Sequence, residues 1–78
     1  MKPIVTEKAV MMIERENVLT FQVEVGQNKT DIRKEIEELF EVKVGGVRIL
    51  IKKGKKFAYV KLKPEFPAID VATKLGLI

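Results

Sequence analysis

Residues 43–63 read KVGGVRILIKKGKKFAYVKLK, and the fold follows from how this stretch is parsed. Val47, Ile49 and Ile51 alternate with Arg48, Leu50 and Lys52. Beyond a Lys-rich turn at Lys52–Lys56, Ala58, Val60 and Leu62 face one side while Lys55, Phe57, Tyr59, Lys61 and Lys63 share the other. Period-two alternation on both sides of a short turn predicts a hairpin of two strands with one apolar face. The Gly45-Gly46 pair ahead of the first strand predicts a bulge or a close backbone approach. The stretch also holds 8 of the 15 Lys and Arg residues and no acid. Residues 1–41 carry a net charge of −3 and residues 64–78 of −1, so all the excess positive charge of this +4 chain sits in the hairpin. Such asymmetry marks a polyanion-binding surface.

Toward the N-terminus, Asn28 starts a helix with Asp31 three residues on, a short-chain form of the capping box. Ile32, Ile36, Leu39 and Phe40 supply its apolar stripe, and Arg33–Glu37 and Lys34–Glu38 pair along its outer, acidic face. Val18–Val25 is a half-buried strand, with Leu19, Phe21, Val23 and Val25 inward and Gly26-Gln27 turning the chain. Before it, Thr6 caps a short helix with Glu7 in its first turn, an apolar side at Ala9, Val10, Met12 and Ile13, and an end near Glu16-Asn17. Met11 and Met12 are expected as gap-filling core residues. Met1–Val5 is extended at most, because Pro3 lacks an N–H. Toward the C-terminus, Pro67 opens a last helix with Ile69, Ala72 and Leu75 inside and Gly76 at its C′ position.

The element order is therefore α-β-α-β-β-α. The strand–helix–strand unit from Val18 to Ile51 makes its two strands parallel, and the last strand slots between them, antiparallel to both. The expected fold is α+β: a split β-α-β with a small mixed, mainly antiparallel three-stranded sheet packed by helices. A short fourth edge strand has room at the N-terminus. At 78 residues, 1–78 is expected to be one domain with a single small core.

Composition narrows the chemistry. The chain has no Cys, His or Ser, which argues against triads, thiolates and zinc sites, and no enzyme activity, metal or cofactor is expected. The Lys52–Lys56 turn lacks the GxxxxGK[ST] spacing of a phosphate-cradling loop. No apolar run approaches the roughly 20 residues needed to span a bilayer, and the N-terminus lacks a signal-peptide h-region, so a cytosolic protein without membrane insertion is expected. Scarce Asn, Gln and Cys beside abundant Lys and Glu hint at a heat-adapted source.

The lysines of the turn exceed what protecting a sheet edge requires, so they are assigned to a polyanion. Phe57 and Tyr59 have two readings: rings on which bases stack, or core residues under a covering helix. Packing under a helix is the favoured one. No RNP1 pattern accompanies them.

Four segments resemble the universal large-subunit ribosomal protein L-twenty-three family in its archaeal-type form. They are Val5-Thr6-Glu7-Lys8-Ala9; Glu38–Val44; Lys55–Leu62, with Phe57 where the family has a second Lys; and Ala68–Gly76. The resemblance spans nearly the whole chain, with the segments in order and similarly spaced. It implies a single ribosomal-protein domain that is a structural constituent of the large subunit, bound to large-subunit rRNA near the polypeptide exit tunnel. Implied rRNA contacts are Lys8, Arg48, Lys52, Lys53, Lys55, Lys56 and Lys61. Glu7, Phe40 and Glu41 match a protein-docking patch. Implied partners are neighbouring ribosomal proteins and, at the exit site, the signal recognition particle, the protein-conducting channel or nascent-chain chaperones. For Glu7, first-turn dipole stabilisation is an equal alternative. Arg48-Ile49 stands where the family commonly has Asn-Thr, the turn is too short to reach the tunnel lumen, and the family's leading strand is expected to be mostly missing. The alternatives from other classes are a small ferredoxin-like regulatory or ligand-binding module and, disfavoured by the missing nucleophiles, a small acyl- or phosphoryl-hydrolase.

Overall fold

In a computed structural model that describes residues 1–77, the elements run β1 (Lys2–Pro3), α1 (Glu7–Glu16), β2 (Val18–Val23), α2 (Lys29–Phe40), β3 (Val44–Lys52), β4 (Lys55–Leu62) and α3 (Ala68–Lys74). The sheet order is β1-β2-β4-β3. β4 lies between β2 and β3 and is antiparallel to both, which is the split β-α-β arrangement. Every ladder is antiparallel, so the sheet is not mixed: β2 and β3 run parallel only across β4. β1 is the fourth edge strand, with Lys2 opposite Gln22 and Pro3 opposite Phe21. Pro3 is tolerated there because an edge position does not need its N–H.

The helix ends obey their local chemistry. Thr6 Oγ1 accepts the Ala9 N–H at 3.1 Å, and Asn28 Oδ1 accepts the Asp31 N–H at 2.9 Å. After α3, Gly76 adopts φ +74°, its N–H donates to Thr73 O, and Leu77 N–H donates to Ala72 O, closing the helix in a Schellman motif. The two-residue turn Lys53-Gly54 has φ +51° and +77°, the mirror-image geometry that matches strand twist in a hairpin.

One face of the sheet carries the core. Leu19 and Phe21 of β2 lie opposite Val60 and Ala58 of β4, which in turn lie opposite Val47 and Ile49 of β3. Ile32 and Ile36 of α2, Ala68, Val71 and Ala72 of α3 and Ile13 of α1 close over this row. A bulge at Gly45 makes the packing possible. Val44 pairs with Leu62 while Gly46 pairs with Lys61, so the extra residue switches the alternation and turns both Val44 and Val47 to the core.

Several apolar residues sit elsewhere than expected. Val25 is 71% exposed because the strand stops at Val23 and Val25 belongs to the turn. Thr20 is buried although it points away from the core, so β2 is covered on both sides over much of its length. Leu39, in the last turn of α2, is exposed, while Phe40 beside it packs on the core. In α3 the helix starts at Ala68, which sets the inner stripe at Ala68, Val71 and Ala72 and leaves Ile69 on the outside. Met11 is exposed and Met12 half-buried, so the methionine pair is not core filling.

Of the two expected ion pairs on α2, Arg33–Glu37 forms at 3.7 Å, while Lys34–Glu38 does not come within ion-pair distance. Glu37 also ties α2 to the sheet, since its Oε2 accepts the Val44 N–H at 2.9 Å where β3 begins. That bond, with the positive charges of Arg33 and Lys43, holds the carboxyl below its ordinary value of 4.5 against the opposing effect of burial. A carboxyl whose folded value is depressed adds stability above 4.5 and loses it as pH falls through the folded value. Glu37→Gln is therefore expected to be less stable than wild type at pH 7, and the gap should narrow on acidification below 4.5. Urea midpoints measured from about pH 7 to about pH 3 check this; a constant gap contradicts it.

Candidate nucleic-acid interface

The second face of the sheet is built by the same alternation that makes the core. Across it run the rows Val18–Lys61–Gly46, Thr20–Tyr59–Arg48 and Gln22–Phe57–Leu50, with Lys52 opposite Lys55 at the hairpin end. α2 and α3 lie on the core side, and α1 packs along β2, where Val18 and Thr20 of this face are buried, leaving the β4–β3 part of the face open. Lys8, Met12 and Glu16 of α1, spaced i, i+4 and i+8 along one line of the helix, form its wall. The reading in which a helix buries Phe57 and Tyr59 is thus overturned: both rings are half-buried, stand outside the core cluster and line open cavities.

Between the α1 wall and the sheet lies a groove of about 600 Å³, with Tyr59, Val18, Leu50 and Gly46 on its lining. Lys8, Arg48 and Lys61 stand around it. A smaller cavity of about 270 Å³ adjoins it and adds Lys52, Phe57 and Thr20. The Thr20 hydroxyl is buried and has no hydrogen-bond partner among the described residues. The ion pair present among the described residues is the one on α2, so no acid among them lies within ion-pair distance of the groove cations. Glu16 is the acid on the lining of the larger groove.

The seven cations proposed from sequence therefore separate into three groups. Lys8, Arg48, Lys52 and Lys61, drawn from one helix and two strands, converge on the two cavities. Lys53 and Lys55 are exposed at the hairpin tip. Lys56 points to the opposite face, where its Nζ donates to Val25 O at 3.2 Å and to Gln27 O, tying the hairpin to the turn before α2. Its position opposite Val23 and Ile51 follows from strand parity, a signal already present in the sequence. Met12, Gly46, Leu50 and Thr20 join the site although the sequence does not mark them for it. The one readable clue is Leu50, an apolar residue on the otherwise basic side of its strand.

The three residues matched to a docking patch do not form one cluster. Glu7 is exposed in the first turn of α1, which packs on β2 and α3. Phe40 is half-buried against the core and Glu41 is exposed at the end of α2, which packs on β3 at the other side of the sheet. Glu41 adopts φ +54° as the C-cap.

A family model described as "Ribosomal protein L23" matches residues 1–68. The curated large ribosomal subunit protein uL23 of Methanococcus aeolicus is 46% identical over 76 residues, covering 96% of this chain and 88% of that relative.

Proposed function

This chain belongs to the ribosomal protein L23 family and is a structural component of the large ribosomal subunit, in the cytoplasm, and from that premise we propose that its open sheet face binds large-subunit rRNA near the polypeptide exit tunnel. The observation that carries this reading is the convergence of Lys8, Arg48, Lys52 and Lys61 from three elements onto one face, with no acid paired to them among the described residues. Each cation that neutralises a phosphate releases condensed counterions, so such a face binds RNA with an affinity that falls steeply with salt. Lys53 and Lys55 extend the contact at the hairpin tip. Lys56 contributes long-range charge while its ammonium stays on the turn before α2.

The acidic outer face of α2 faces away from the RNA, toward solvent and neighbouring ribosomal proteins. Glu7 is the point at which signal recognition particle, protein-conducting channel or nascent-chain chaperones dock, with Phe40 and Glu41 serving as a separate contact at the other side of the sheet. Residues 1–78 act in this as one ribosomal-protein domain.

Titration against large-subunit rRNA fragments at several salt concentrations tests the proposal. The logarithm of affinity should fall linearly with the logarithm of salt concentration, and the protein should co-sediment with large subunits. A flat salt dependence would sink the reading.

A further inference from the structure

The groove beside Tyr59 has properties that phosphate binding does not call for. A phosphate backbone needs cations at a surface, whereas this cleft of about 600 Å³ has an apolar interior of Met12, Val18 and Leu50 with an aromatic ring among them. Its size falls in the range of small-ligand sites. Gly46 adds a second observation. A glycine inside a strand weakens it, yet Gly46 is not among the glycines with positive φ, and a Cβ built on it would meet nothing within 4 Å. Neither backbone conformation nor packing requires glycine there. What the missing side chain does is leave open floor opposite Lys61. Thirdly, the buried Thr20 hydroxyl opposite Tyr59 lines the adjoining cavity with no hydrogen-bond partner among the described residues.

We propose that this groove takes the base of an unpaired nucleotide, stacked against the Tyr59 ring between Met12 and Leu50, with Lys8, Arg48 and Lys61 on the flanking phosphates. The inference rests on the RNA-binding reading above and specifies the form of RNA that the face selects: a bulged or single-stranded nucleotide, not continuous duplex. Stacking suits the site because every base presents a π-face. Glu16 repels a phosphate but accepts a hydrogen bond from an exocyclic amino group, which places the base edge, not the backbone, toward the foot of α1.

Tyr59 is the single tyrosine of a chain without tryptophan, so its emission reports on this groove alone. The probes are an RNA hairpin carrying a one-nucleotide bulge and the same hairpin fully paired, titrated at equal salt. The bulged RNA should bind about tenfold more tightly and quench tyrosine emission, and the paired RNA should leave emission nearly unchanged. Gly46→Val fills the floor with a residue that favours strands. It should keep the thermal midpoint and lose the preference for the bulge. If Gly46→Val does not fold, the Tyr59 pair decides: Tyr59→Phe keeps the preference and Tyr59→Leu loses it. Equal affinities for the two RNAs, saturation without quenching, or a preference that survives Gly46→Val or Tyr59→Leu overturns the base pocket and leaves the RNA-binding reading standing. Failure of both hairpins to bind at low salt overturns both.

Discussion

Asn17→Ala should lower stability by about 3 kcal/mol, a large loss for a side chain that neither belongs to the hydrophobic core nor carries a charge. Asn17 ends α1 in the left-handed conformation, φ 59°, with its N–H on Met12 O. Its Nδ2 donates to Leu62 O, Lys63 O and Phe66 O at 3.2, 3.3 and 3.1 Å, and its Oδ1 accepts the Ala68 N–H at 2.6 Å. One side chain thereby fastens the α1–β2 corner to the connection that delivers α3 onto the core. The Nδ2 contacts share two hydrogens among three carbonyls, so with the Oδ1 bond the side chain contributes about 2 kcal/mol net, and placing Ala in the left-handed region adds about 1 kcal/mol. Domains of this size hold only about 0.05–0.15 kcal/mol per residue in total. Asn17→Gly, which removes the backbone strain but not the lost bonds, should recover roughly 1 kcal/mol of the loss. Asn17→Asp keeps the acceptor for Ala68 but sets a carboxylate against three carbonyls, and should be nearly as damaging as alanine. Urea unfolding of the three variants separates these contributions, and equal stability of Asn17→Ala and wild type would refute the assignment.

Replacing Lys8, Arg48 and Lys61 together by alanine should weaken rRNA binding about a hundredfold at low salt and make the log–log salt slope shallower by about 2 to 3. The Lys53, Lys55 double alanine variant should lose less, because those side chains stand at the hairpin tip, away from the groove. Lys56→Ala should show the reverse pattern. Its ammonium holds the turn carbonyls of Val25 and Gln27, so the loss should appear in thermal stability more than in RNA affinity. Binding isotherms paired with melting curves for each variant make the comparison. An equal affinity loss for the tip and groove variants would return the site to the turn lysines.

Those contrasts turn on how far one-dimensional signals reach. Thr6, Asn28 and Gly76 were legible because a cap acts within three or four residues of itself, and the structure places their bonds where the sequence puts them. The antiparallel insertion of β4 was legible because alternation and turn length constrain pairing. Leu39 and Ile69 were misplaced because a stripe marks a helix face without saying where the helix stops lying over the sheet, or at which residue it begins. Val25 failed for a similar reason, since alternation continues on paper after the backbone has turned. The role of Asn17 was invisible: its four side-chain partners are 45 to 51 residues away in sequence. The groove was half legible. Parity put Lys61, Tyr59 and Arg48 on one face, but whether a helix roofs that face depends on where α1 packs, and only Lys8, Met12 and Glu16 in place show that it forms a wall.

The strand order carries a consequence for the time course of folding. β3 and β4 adjoin in sequence and close through a two-residue turn, so they can pair as soon as both have left the ribosome. β2 has to wait: Val23 pairs with Lys56, 33 residues on, and Val18 with Lys61, 43 residues on. During synthesis β2 therefore spends the making of α2 and of the whole hairpin with its main β4 partner missing, while Leu19 and Phe21 have no core to enter. Low contact order in the hairpin and high contact order at β2–β4 make the hairpin the early unit and the β2 docking step the late one. Asn17, whose bonds join the start of β2 to the end of β4, forms its contacts only at that last step.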